Sequence, residues 1–125
     1  MLTTVLLADD SEIMRKAIMH FLKDDSEIEV LGEGANFAQT MLLAIKLQPH
    51  VIILDLHMRD ENSVTPSQIK ASLNGSRLIA MSIWNDEVTK SLAETFGAVM
   101  LLDKVNLAAE LIPAIKRYAN PSQSL

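Results

Sequence analysis

The sequence predicts a doubly wound α/β domain, five parallel strands in one sheet with helices on both faces. Short apolar runs alternate five times with segments of helical period, joined by brief polar connections. Val51-Ile52-Ile53-Leu54 places four apolar residues in a row, three of them β-branched. Such a run suits a strand covered on both sides, as in the middle of a parallel sheet. Carboxylates and a hydroxyl stand where the runs stop, at Asp9-Asp10, Asp55 and Ser82. In a sheet of this kind all strands end on one rim, the edge where ligands gather.

The elements follow in order. Val5-Leu6-Leu7-Ala8 is a strand stopping at Asp9-Asp10. Ser11 is placed to cap a helix whose apolar rows are Ile13, Ala17, Phe21 and Met14, Ile18, Leu22. With Met19 added, these rows are wider than one core-facing stripe, which fits either a well-buried helix or a surplus near Met14 that meets a partner. Ile28 to Gly32 alternates like an edge strand. Asn36 caps a second helix, with Phe37, Met41, Leu42, Ala44 and Ile45 expected inward, and Gln48-Pro49-His50 closes it. The central strand Val51 to Asp55 follows, then a polar loop from His57 to Ser63.

Thr65-Pro66 opens a weak third helix, an N-cap followed by proline in the first helical position, ending at Leu73. Leu78 to Ser82 is the fourth strand, and Val88, Leu92 and Phe96 mark the expected inner row of a helix closed by Gly97. Ala98 to Leu102 is the fifth strand. Leu107, Leu111 and Ile115 carry a last helix that Pro113 must kink or deprive of one hydrogen bond. The domain is expected over residues 1–119, with 120–125 a polar tail or the start of a linker.

Composition narrows the function. The 125 residues make one domain, and 49% apolar content is ample for a core. The chain has no cysteine, which excludes disulfides and thiolate metal sites and suits a reducing cytoplasm. The apolar runs are too short to span a bilayer, and the start lacks the basic segment of a signal peptide. A net charge of -5 opposes direct binding of nucleic acid.

Taken singly, each rim residue has an ordinary explanation: a helix cap, a turn, a solvated lysine. Jointly, Asp9, Asp10, Asp55, Ser82 and Lys104 place three acids, a hydroxyl and a cation on one edge. Carboxylates ~5 Å apart repel by about 3 kcal/mol per pair at an effective dielectric near 20. A hard cation such as Mg²⁺ relieves that repulsion and keeps coordination positions for phosphate. Asp55 could then attack phosphorus, with Lys104 and the Ser82 hydroxyl holding the other phosphoryl oxygens.

These residues resemble a CheY-like receiver domain of a two-component response regulator. The likeness rests on Leu7-Ala8-Asp9-Asp10-Ser11, on Val51 to Met58, on Met81-Ser82, and on Gly97-Ala98 leading to Leu102-Asp103-Lys104. It implies a flavodoxin-like fold with strand order 2-1-3-4-5, and phosphorylation of Asp55 by a histidine kinase or histidine phosphotransfer protein. It also implies Mg²⁺ held by Asp10 and Asp55, by Asp9 through water, and by the main-chain carbonyl of His57. The His57 side chain is then free to vary and is expected as an exposed loop residue, as are His20 and His50. The segment from Asp24 to Glu33 is similar to LuxR/NarL-type receivers, which precede a helix-turn-helix output domain. The chain is thus expected to be a stand-alone regulator or a receiver cut from a longer protein.

Four positions depart from the family pattern. Arg59 stands where proline is usual, and Asp60-Glu61-Asn62-Ser63 lacks the glycine that normally follows. Ile83 replaces a small residue after Ser82 and is expected to crowd donors and attacking water alike. Trp84 should flank the same opening and report metal binding by fluorescence. Leu101 replaces the usual switch aromatic, and Pro113 alters a face that receivers use for homodimers. Three rivals remain: a flavodoxin-like electron carrier, disfavoured by an acidic first loop; an aspartyl-phosphate phosphatase, disfavoured by His57 where its second acid should be; and a phosphorylation-independent docking module.

Overall fold

The computed structural model describes residues 2–119; the tail expected at 120–125 lies outside the described residues. The strands are β1 (Thr3–Ala8), β2 (Ile28–Gly34), β3 (Val51–Asp55), β4 (Arg77–Ser82) and β5 (Ala98–Asp103). The helices between and after them are α1 (Glu12–Leu22), α2 (Phe37–Leu47), α3 (Pro66–Leu73), α4 (Glu87–Thr95) and α5 (Leu107–Tyr118). All pairings are parallel, in the order β2-β1-β3-β4-β5, so the first and third strands lie side by side at the centre.

Because side chains alternate along a strand, each strand feeds two cores. Val5, Leu7, Ile53, Ile79 and Met81 pack with Ile18 and Leu22 of α1 and with Leu111 and Ile115 of α5. Leu6, Ala8, Ile52, Leu54 and Ala80 pack on the other face with Phe37, Ile69, Ala93 and Phe96. β3 is buried along its whole length, as its composition demands. Both edge strands carry the partial burial expected of edges.

Several apolar residues lie on faces other than those the periodicity assigned. On α1 the exposed apolar residue is Ile13, 83% exposed, whereas Met14 packs against the core; Phe21 is also exposed. On α2, Leu42 and Ile45 point to solvent, and the buried face runs through Phe37, Thr40 and Ala44. On α4, Val88 is exposed and the inner row is Thr89, Ala93 and Phe96. A helical stripe shows that an apolar face exists, but its phase is set by the neighbours that cover it.

The loop after β3 forms a 3-10 turn, Glu61–Ser63, before α3 starts at Pro66 behind a Thr65–Gln68 capping box. Gly97 closes α4 with φ +85, a conformation that L side chains rarely adopt. Gly34, at the end of β2, has Thr40 of α2 so close that a Cβ there would collide with its hydroxyl. α5 runs through Pro113 without interruption. No helix among the described residues is long and apolar enough to cross a membrane.

Candidate functional site

Register decides what meets at the rim. Ala8 lies beside Leu54, so the chain leaves β1 at Asp9 next to the point where β3 ends in Asp55. Ser82 lies opposite Asp103, which brings Lys104 to the same edge. Asp9, Asp10 and Asp55 each offer a carboxylate oxygen, and these atoms lie within 4.8 Å of one another. The Lys104 ammonium sits between two of them, with Nζ 2.7 Å from Asp9 Oδ2 and 3.3 Å from Asp55 Oδ2.

The acid loop is held from several sides. The Asp9 N–H donates to the Gly34 carbonyl at 3.1 Å, and Asp9 Oδ1 accepts from the Ser11 N–H at 2.9 Å. Arg15 donates from one guanidinium nitrogen to the Asp9 carbonyl at 2.7 Å and from Nε to Glu33 at 3.2 Å. The sequence did not single out that anchor, because it joins α1 to the far end of an edge strand. Asp60 is a second unforeseen contact. Its carboxylate oxygens accept from the N–H groups of Phe37 (2.8 Å) and Ala38 (3.0 Å) at the start of α2. A signal existed, since α2 has no acid in its own first turn to meet those free donors.

Burial pushes the Asp55 carboxyl above its ordinary value of 3.8. The His57 N–H, 3.1 Å from Asp55 Oδ1, and the Lys104 charge pull the other way, and the Asp9 charge adds to the rise. For Lys104, burial would lower the pKa, but the hydrogen bond to Asp9 and the charges of Asp55 and Asp9 outweigh it, and the net shift is upward. Three carboxylates against one ammonium leave two negative charges, all on oxygen donors. That donor set fits a hard divalent cation.

The remaining expected residues surround this centre. Ser82 is fully buried, and its hydroxyl accepts from the Trp84 N–H at 3.0 Å. His57 is not the exposed loop residue expected. Its ring is half-buried, stacked edge-on to Trp84 with centroids 4.8 Å apart, and Nδ1 lies 3.7 Å from the Glu61 carboxylate. Ile83 and Trp84 are both more than half exposed. Leu101 is partly buried against the core beneath α4. His20 and His50 are exposed, and His50 Nδ1 accepts from the Thr4 N–H at 3.0 Å.

Known proteins agree with this geometry. A family model described as "Response regulator receiver domain" matches residues 5–116. The transcriptional regulatory protein LiaR of Bacillus subtilis is 33% identical over 113 residues, covering 90% of this chain and 54% of LiaR. The response regulator protein VraR of Staphylococcus aureus is 30% identical over 114 residues, again 90% of this chain and 54% of VraR. The chain therefore spans about half the length of the curated relatives it matches. In fold it is similar to the response regulator domain of Thermotoga maritima CheB, with TM-score 0.83 and 24% identity over 96% of this chain and 98% of that one.

Proposed function

The chain belongs to the response regulator receiver domain family, and from that premise we propose that Asp55 is the residue that carries the phosphoryl group. One observation supports this reading above the rest: the Lys104 ammonium bridges Asp9 and Asp55 while Asp10 stands within reach of both. A carboxylate oxygen of Asp55 forms a bond to phosphorus as the bond from phosphorus to the donor's imidazole nitrogen breaks. The electron pair of that bond stays on the nitrogen. Lys104, already poised between two carboxylates, follows the new negative charge onto the phosphoryl oxygens. The Ser82 hydroxyl, which accepts from Trp84, keeps its own proton free to donate to the same group.

We assign Mg²⁺ to Asp10 and Asp55 directly, to Asp9 through water and to the main-chain carbonyl of His57. When bound, Mg²⁺ neutralises the acids and offers open positions to phosphoryl oxygens. The chain's catalysis is confined to gaining and losing its own phosphoryl group. Movement of Ser82 and inward packing of Leu101 would relay the change to a partner or output region.

The donor we assign is a histidine kinase or a histidine phosphotransfer protein. Ile13, Ile83, Trp84 and Val105 are exposed, and each stands within three residues of an acid-site residue. Exposed apolar side chains so near the site in sequence suit a helical donor. A homodimer, a helix-turn-helix output region reached through a linker at 120–125, and a cytoplasmic location complete the reading. Incubation with Mg²⁺ and acetyl phosphate, followed by mass spectrometry, is expected to show one added phosphoryl group, absent from Asp55→Asn. An unmodified wild-type chain would overturn the assignment.

A further inference from the structure

Arg59 is the family departure that this chemistry leaves unused. The other two cations near the rim have defined partners: Lys104 with Asp9 and Asp55, and Arg15 with the Asp9 carbonyl and Glu33. Arg59 is different. Its side chain is 89% exposed, and its Nε approaches Asp10 Oδ2 no closer than 3.9 Å.

Its base, however, is fixed. Met58 on one side is buried, and Asp60 on the other holds two N–H groups of α2. The Glu61 N–H donates to the Met58 carbonyl at 3.1 Å, and the Ser63 hydroxyl to the Asp60 carbonyl at 2.7 Å. A long guanidinium, mostly in solvent and only loosely paired with Asp10, therefore stands on a pinned turn. It overhangs a groove of about 350 Å³ lined by Asp10, Ala35, Asn36, Arg59 and Asp60, which opens beside the acid cluster.

We propose that Arg59 is a specificity-determining residue for the phosphodonor, an arm that rests on Asp10 and transfers to the phosphate of an incoming dianionic donor. The inference rests on the reading of Asp55 given above. A divalent ion balances the two negative charges that remain after Lys104 is counted, so an arriving phosphate dianion adds charge for which the acid cluster holds no further cation. A guanidinium matches phosphate oxygens geometrically and is always charged. The transfer itself is unchanged: Asp55 oxygen bonds to phosphorus, and the donor's bond to phosphorus breaks with its electron pair leaving on the donor.

Because Arg59 leans on Asp10, it also opposes a cation there. Removing it should thus have two effects of opposite sign. In Arg59→Gln, Mg²⁺ titrated against Trp84 fluorescence should bind about two- to fivefold more tightly. The second-order labelling constant with acetyl phosphate, a dianion at neutral pH, should fall about three- to tenfold at 0.1 M salt. Phosphoramidate, which carries less charge, should lose about twofold at most, and Arg59→Lys, which keeps the charge but not the planar fork, should recover part of the acetyl phosphate rate. In 1 M salt the difference between wild type and Arg59→Gln should nearly vanish.

A general disturbance of the loop would weaken metal and donor together and would overturn the proposal. So would equal labelling of wild type and Arg59→Gln by acetyl phosphate. Failure of the wild type to label with either donor would instead remove the Asp55 reading, and this inference with it.

Discussion

The acidic rim has a deep half and an outer half, and water divides them. In the deep half the side chains of Asp9, Asp55 and Lys104 are 1%, 6% and 12% exposed, and their charges meet at 2.7 and 3.3 Å. In the outer half Asp10 is 24% exposed and Arg59 89%, and their closest approach is 3.9 Å. The same charges count differently in the two settings. Low dielectric makes each deep partner costly to lose, whereas outer charges are screened and exchange partners readily. The deep half thus holds its charges in fixed pairs, and the outer half leaves its charges able to change partners.

Lys104→Met should break the deep half most severely. It leaves two buried carboxylates without their cation, which should cost about 3 kcal/mol of stability at neutral pH. Urea melts should show that loss, and acidification should return part of it as the Asp55 carboxyl, whose pKa is raised by burial, takes up its proton. The wild-type contribution of Lys104 has a matching signature. Its pKa is raised, so its stabilisation is complete below the ordinary 10.5 and is lost as pH climbs through the higher folded value.

Arg15→Gln tests the boundary between the halves. Charge reversal at Arg15 and Lys16 invites a reading as a donor-docking test, since both lie on α1 beside the acid pair. The structure separates them: Lys16 is exposed, whereas the Arg15 side chain is only 16% exposed and holds the Asp9 carbonyl. Arg15→Gln is therefore expected to slow acetyl phosphate labelling and donor transfer alike, and to weaken Mg²⁺ binding about tenfold, the equivalent of about 1.4 kcal/mol. Loss of donor transfer alone would instead place Arg15 on a donor-docking surface.

The smallest effect has the opposite sign. Asp55 has a raised pKa, so without metal its charge opposes folding once pH rises above 3.8 and through the folded value. Asp55→Asn, which cannot be phosphorylated, should melt a few degrees higher than the metal-free wild type at neutral pH, a gain of about 1 kcal/mol. That advantage should shrink as pH falls through the folded pKa and disappear below 3.8. A lower melting temperature at neutral pH would mean that Lys104 outweighs desolvation at Asp55.

Most of the fold and the centre of the site were legible because both depend on short-range pattern. Apolar runs marked the strands, and acids at their ends marked the rim. Leu42, Ile45 and Val88 show where pattern alone stopped: their spacing fits a buried stripe, yet all three face solvent. His57 shows the same limit at the site, since nothing local to it announces the Trp84 ring beside it.

The chain's own order of residues determined the five strands and five α-helices of the described residues and a rim bearing Asp9, Asp10, Asp55 and Lys104, because periodicity and strand ends are local properties. Tertiary structure alone decided which helix faces are covered, that Arg15 grips the Asp9 carbonyl, that Asp60 caps α2, and that Arg59 meets Asp10 only loosely, from solvent. Asp60 lies 23 residues from Phe37, and Lys104 lies 95 from Asp9. Contacts across such distances are set by the register of parallel strands, which places residues side by side without regard to their separation along the chain.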